Sequence, residues 1–182
     1  QVPNDDTIYF EHMYWLPEEL LDKRVHEDGV PYDVWKELGD LRTVPGNKVH
    51  YKHVVDWFLE MQQVHDIYIQ WVGYDSWSAT YFVEDMQNTF GKNTMIPVVQ
   101  GKRTLSGPMK ALGADLEAKR INYGNNPITK WCLSNTSVEI DKNDNIQPVK
   151  GRSQRRRIDG LACMLNAYVV YLDKGEDYTN LI

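Results

Sequence analysis

The sequence of 182 residues has few cysteines and no long apolar run, and each of these absences excludes a class of protein. Its two cysteines, Cys132 and Cys163, form no Cys-x-x-Cys pair, so they cannot build a structural zinc site alone. Both fall in predicted helices, a usage that is typical of reduced, cytosolic proteins. No stretch is long enough to span a membrane, and no secretory signal is recognisable. We therefore expect no membrane partner.

The charge balance lacks a positive excess, since 20 Lys and Arg against 26 Asp and Glu give a formal net charge of −6. This excludes a protein that coats nucleic acid with its whole surface, but it allows a local basic site. No phosphate-binding P-loop is present, because Ile96 stands where the first glycine before Gly101-Lys102-Arg103-Thr104 would be. No Gly-x-Ser-x-Gly nucleophile motif is present either. The remaining candidates for catalytic groups are therefore the carboxylate side chains.

The most informative stretch surrounds Asp75. Ile67–Tyr74 is almost continuously apolar, which predicts a strand that is buried on both faces. The apolar residues that follow recur with a helical period, so a helix is predicted directly after Asp75. A carboxylate just past the carboxyl end of a buried strand lies where open α/β sheets bind ligands. Asp75 is therefore a candidate site residue, although a turn residue or a helix cap is the simpler explanation of a single Asp.

The rest of the chain alternates strands with helices, which predicts an α/β fold in a single domain. The predicted strands are Thr7–Leu16, Leu41–Val44, Met95–Val99, and the two strands of a hairpin, Ser137–Ile140 and Ile146–Lys150. One predicted helix begins at Pro17. Further helices are predicted over Tyr32–Leu38, Lys48–Gln63, Pro108–Arg120, Pro127–Ser134 and Ile158–Leu172. Because Thr7–Leu16 has the pattern of the second half of a hairpin, we expect a mixed sheet flanked by helices.

A second carboxylate and a basic run lie together near the C-terminus. Asp159 is predicted in the first turn of the last helix, where the helix dipole favours the ionised form that a metal ligand needs. Directly before it stand the five cations Lys150, Arg152, Arg155, Arg156 and Arg157. Cations oppose the dipole at this end of a helix, so the cluster suits an anion such as a phosphate. A solvated basic loop would have the same composition.

Two acids on separate elements beside a basic loop are the components of metal-assisted phosphodiester cleavage. Their oxygen ligands suit hard divalent cations such as Mg²⁺ or Mn²⁺. Asp75 and Asp159 are nevertheless too few for a complete site with two metal ions, which needs further carboxylates.

Six short motifs occur in an order that matches one known family. They are Trp15-Leu16-Pro17-Glu18, Asp28-Gly29-Val30-Pro31-Tyr32-x-x-Trp35, Gly73-Tyr74-Asp75-Ser76-Trp77, Val98-Val99-Gln100-Gly101, Leu105-Ser106-x-Pro108-x-Lys110 and Arg157-Ile158-Asp159-Gly160. Over nearly its whole length, the sequence resembles the C-terminal nuclease domain of the large terminase subunit of tailed bacteriophages.

The resemblance implies an RNase H-like fold and an endonuclease that depends on Mg²⁺ or Mn²⁺ and cuts concatemeric double-stranded viral DNA. In that family the acids that match Asp75 and Asp159 are catalytic metal ligands, and a hairpin like Ser137–Lys150 borders the DNA path. The implied partners are DNA, the small terminase subunit and the portal, in the cytoplasm of the bacterial host. The family's ATPase domain is not part of this sequence.

One departure from the family leaves alternatives open. The strand that carries the family's first catalytic Asp is expected before Gln1, and no residue here matches that Asp. One alternative is a module that docks DNA or the portal without cutting. Another is a different RNase H-like nuclease, such as a junction resolvase, which would prefer branched DNA.

Overall fold

The computed structural model describes residues 5–77, 80–151 and 156–179, without the side chain of Thr179. The helices are α1 (Leu21–Asp28, preceded by a 3-10 turn at Glu18–Leu20), α2 (Tyr32–Glu37), α3 (Tyr51–Val64), α4 (Thr80–Phe90), α5 (Lys102–Glu117), α6 (Pro127–Asn135) and α7 (Asp159–Thr179). The strands are β1 (Ile8–Tyr9), β2 (Tyr14–Pro17), β3 (Leu41–Val44), β4 (Val72–Asp75), β5 (Met95–Val98), β6 (Ile121–Asn122), β7 (Thr136–Ile140) and β8 (Ile146–Lys150). The predicted α/β class is confirmed.

Within the described ranges the strands form four two-stranded sheets rather than one mixed sheet. The pairs β1–β6, β2–β3 and β4–β5 are parallel, and β7–β8 is the predicted antiparallel hairpin. The predicted strand Thr7–Leu16 is divided, because residues 10–13 belong to no strand and separate β1 from β2. The expectation of a single continuous sheet is therefore not met by these strands alone.

The β4–β5 pair separates two apolar cores. On one face, Val72 and Tyr74 pack with α3 and α4 around the fully buried Met86. On the other face, Val98 is buried among apolar residues of α5 and α7. Successive side chains of a strand point to opposite faces, so this arrangement fixes the side to which each β4 residue points.

Among the predicted boundaries that differ from the structure, two are explained by the packing. The apolar run before Val72 is not a buried strand: β5 pairs only with Val72–Asp75, and Ile67 and Tyr68 are 47% and 67% exposed. Helix α5 begins at Lys102 and contains Pro108, although proline was expected to open the helix. A proline inside a helix removes one backbone hydrogen bond, a cost that the burial of Leu105 and Leu112 on the core can offset.

A third core joins α1, α2 and α6 beside the β2–β3 pair. Its centre is aromatic: the rings of Tyr32 and Trp35 lie 5.4 Å apart, and that of Trp131 lies 5.8 Å from Trp35. Across the ranges that the structure covers, no helix combines the length and apolar character required to cross a membrane.

Candidate functional site

Asp75 is the last residue of β4 and is exposed. Its Oδ1 accepts a hydrogen bond of 3.1 Å from the backbone N–H of Trp77. A hydrogen bond from a backbone N–H two residues further on is typical of an Asp in a turn. Asp75 therefore stabilises the turn after β4, and its carboxylate is also exposed to solvent.

The register of the β4–β5 pair shows which way Asp75 points. Asp75 pairs with Val98 and Gly73 pairs with Ile96. Paired residues share a face, and both Val98 and Ile96 pack on the core formed with α5 and α7. Asp75 therefore points to the side of the β4–β5 pair on which α7 lies.

Asp159 is the first residue of α7 and is exposed. The next residue, Gly160, is buried against β2 and α6: a Cβ there would collide with the Tyr14 hydroxyl and lie 3.1 Å from Cys132 Sγ. Burial raises the pKa of the Cys132 thiol to about 11, so the group that packs on Gly160 is uncharged. These close contacts fix the start of α7, and with it Asp159.

The middle of α7 is fixed against β4 and β5. A Cβ on Gly73 would lie 2.5 Å from the backbone oxygen of Asn166. Gln100, just beyond β5, donates from Nε2 to Asn166 Oδ1 at 3.1 Å and to the Val98 carbonyl at 3.0 Å. Asp159 precedes Asn166 by seven residues, ~10 Å along the helix axis.

The two predicted acids thus belong to elements that meet on one side of the β4–β5 pair. Their carboxylate oxygens are the donors that Mg²⁺ and Mn²⁺ prefer. Among the residues described, no cluster of three or more His, Cys, Asp or Glu could hold a metal ion. Asp75 and Asp159 fit one part of a site for hard cations, and their roles as ligands stay predictions.

The predicted cations have different surroundings. Lys150 ends β8 and is exposed, as is Arg156. Arg157 is 31% exposed and its Nη2 lies 3.6 Å from Asp28 Oδ2. Arg152 and Arg155 lie outside the described residues. DNA contact by these five cations stays a prediction.

The pairing of Asp28 with Arg157 was missed by the sequence reasoning. The Asp28 side chain is only 3% exposed, and it also accepts a hydrogen bond of 3.0 Å from the Tyr32 hydroxyl. Burial is the main cause that raises the pKa of Tyr32, and the hydrogen bond to Asp28 raises it further. The hydroxyl therefore stays protonated and can donate this bond. The partners are far apart in sequence, and no local pattern signals such a contact. Asp28 links α1 to the segment that leads into Asp159.

The motifs that carry these acids indicate the class of terminase nucleases, and the comparison with family models tests this assignment. The chain matches the family model "Terminase large subunit, endonuclease domain" over residues 1–175. The chain therefore belongs to that family, as its motifs indicated.

Two individual proteins and one solved structure are similar to this chain. The large terminase subunit of Enterobacteria phage HK97 is 28% identical over 151 residues, which cover 83% of this chain and 29% of that protein. Protein YmfN of Escherichia coli strain K12 is 25% identical over 163 residues, or 85% of this chain and 34% of that protein. The crystal structure of the HK97 large terminase matches with a TM-score of 0.76 and 28% identity, over 86% of this chain and 32% of that one. The chain thus spans about a third of the length of these relatives.

Proposed function

We propose that this chain is the metal-dependent endonuclease domain of a viral DNA-packaging terminase and that it cuts concatemeric double-stranded DNA. The observation that carries the proposal is the convergence of two elements: β4 points Asp75 towards the side on which α7, beginning with Asp159, is packed. In this proposal both carboxylates would bind Mg²⁺ or Mn²⁺ in a two-metal site, and the bound cations would hold the anionic scissile phosphate. Bound there, the cations would supply an activated water and stabilise the charge on the leaving oxygen.

The packing of α7 supports an RNase H-like sheet with one further strand. Gly160 contacts Tyr14 of β2, and Asn166 contacts Gly73 of β4. In the described part of the chain β2 pairs with β3 and β4 pairs with β5, so α7 contacts two strands that are not paired with each other. We propose that the strand expected before Gln1 lies between β2 and β4 and contributes the missing acid.

The wider setting follows from the family. We propose that residues 1–182 form a single nuclease domain, that the ATPase domain belongs to the longer protein, and that the small terminase subunit and the portal are its partners in the host cytoplasm. A second candidate function is docking: the chain would bind DNA or the portal without cutting DNA. It is favoured by the lack of a third acid beside Asp75 and Asp159 in the described part of the chain.

A plasmid nicking assay separates these functions. It is run with Mn²⁺ and with EDTA, on this chain and on a form extended upstream to include the expected strand. We expect Mn²⁺-dependent cutting by the extended form, little or none by this chain, and none by extended Asp75→Ala or Asp159→Ala.

Two controls sharpen the assay. Asp85→Ala removes an exposed carboxylate from α4, on the opposite side of the β4–β5 pair, and should cut normally. DNA retention should persist in both site variants, because no cation is lost. Undiminished cutting by either site variant refutes the assignment, and a preference for branched over linear DNA would favour a junction resolvase.

A further inference from the structure

The segment Gly101-Lys102-Arg103-Thr104, which is not a P-loop, occupies a position beside the candidate site. Lys102 and Arg103 open α5, which begins four residues after Val98 at the carboxyl end of β5. Val98 is the residue that pairs with Asp75, and α5 packs on the same face of the β4–β5 pair as α7. The two cations therefore lie at the edge of the molecule that carries Asp75.

Lys102 forms an ion pair with a partly exposed carboxylate. Its Nζ lies 2.9 Å from Glu139 Oε1 on the hairpin strand β7, and the side chain of Glu139 is 52% exposed. Gln147 also donates to Glu139, at 2.8 Å, so the hairpin holds this carboxylate in place. The Lys102 side chain is 22% exposed, but half of the Glu139 side chain faces solvent, so water weakens the pair and another anion can compete for Lys102. Arg103, the neighbouring residue, is exposed.

We propose that Lys102 and Arg103 bind backbone phosphates of double-stranded DNA, and that Glu139 occupies Lys102 until a phosphate replaces it. The proposal rests on the proposed nuclease function and extends its DNA-binding surface to α5. Duplex DNA is the fitting partner because its phosphates recur along both strands, so cations distributed over α5, β8 and the segment before α7 can each meet one. A cut at the acids requires that the duplex pass this edge.

The test measures how DNA binding by the full chain depends on salt. A fluorescently labelled blunt duplex is titrated in EDTA between 50 and 200 mM salt, the range over which phosphate contacts lose affinity steeply. Lys102→Met and Arg103→Met should each weaken binding and reduce the slope of log K against log salt by about one. Glu139→Gln should tighten binding about two- to fivefold at low salt, the equivalent of one exposed ion pair.

The matched control is Lys119→Met, which removes the same charge just past the other end of α5, ~25 Å from Lys102 along the axis. It should leave the slope unchanged. Equal loss of slope in Lys119→Met and Lys102→Met would overturn the proposal, because the effect would then reflect net charge alone. Unchanged binding by Glu139→Gln would overturn the exchange at Lys102. Thermal unfolding confirms that each variant is folded.

Failure of this proposal differs from failure of the proposed function. If the extended form with Asp75→Ala still cuts, or if the wild-type chain does not bind duplex DNA, the nuclease assignment fails. If the wild-type chain binds with a clear salt dependence and Lys102→Met leaves the slope unchanged, only the role of α5 fails.

Discussion

Replacing Gly73 by alanine should displace α7 from the sheet. The added Cβ would lie 2.5 Å from the Asn166 backbone oxygen and 2.8 Å from Val170 Cγ2, whereas ordinary contacts begin at 3.4 Å. The shortfall at Asn166 is 3.4 − 2.5 = 0.9 Å. Backbone cannot rotate away as a side chain can, so α7 must move by about this distance. Overpacking of a core in this way costs about 1–3 kcal/mol.

Gly113 provides the matched control for this substitution. It lies in α5 with no atom within 4 Å of an added Cβ, and its φ is not positive. Gly113→Ala should therefore stabilise the protein, by about 0.5–1 kcal/mol, because alanine favours a helix over the unfolded chain. Denaturant unfolding of the two variants should shift the midpoint in opposite directions.

The same displacement should impair catalysis in the extended, cutting form. A shift of about 0.9 Å in α7 moves Asp159 relative to Asp75, and misplacement of this size can reduce a rate about 100-fold. The nicking assay measures this loss, with Gly113→Ala as the folded and active reference. The reasoning is refuted if Gly73→Ala matches Gly113→Ala in both stability and cutting, since α7 would then not be pressed against β4.

Two further predictions concern buried polar groups. No described residue forms a hydrogen bond with the buried ring nitrogens of His12, and burial lowers the pKa of His12 from 6.5 to about 4. Only the unfolded state gains a proton between these pH values, so the wild type should lose up to about 1.4 kcal/mol per pH unit from pH 6.5 to 4, relative to His12→Phe. Denaturant unfolding across this range measures the difference, and parallel pH profiles would contradict it. Arg157→Met should destabilise by about 2–3 kcal/mol because it leaves the Asp28 carboxylate buried without its cation. Adding Asp28→Asn should restore stability, and in a double-mutant cycle additive effects would show that the pair does not interact.

Local sequence signals predicted the elements that depend on local structure. The β7–β8 hairpin was predicted within one residue, because the polar turn at 141–145 interrupts two extended runs. Helix α7 was predicted from its apolar stripe, although it extends to Thr179 rather than Leu172. Both features are encoded within a few turns of chain.

Features that depend on tertiary partners could not be predicted in this way. Ile67 and Tyr68 have the composition of a buried strand, but β5 is too short to pair with them. The predicted start of α5 was wrong because Pro108 was assigned to the first turn, the position that proline prefers. In the structure this preference is outweighed by burial of the helix around Pro108. The contact of Asp28 with Arg157 joins residues that only the folded chain brings together.

Two glycines in the recognised motifs have a common physical role in the candidate site. Gly73 stands two residues before Asp75, and Gly160 directly follows Asp159. Each faces a contact in which a Cβ would collide, Gly73 with the backbone of α7 and Gly160 with Tyr14. Neither has a positive φ, so backbone conformation does not require glycine at either position. Glycine is required instead by the close approach of neighbouring atoms. These two close contacts set the position of α7 at two points along its length. The glycines therefore control the separation of the two carboxylates, although neither residue can bind a metal ion itself.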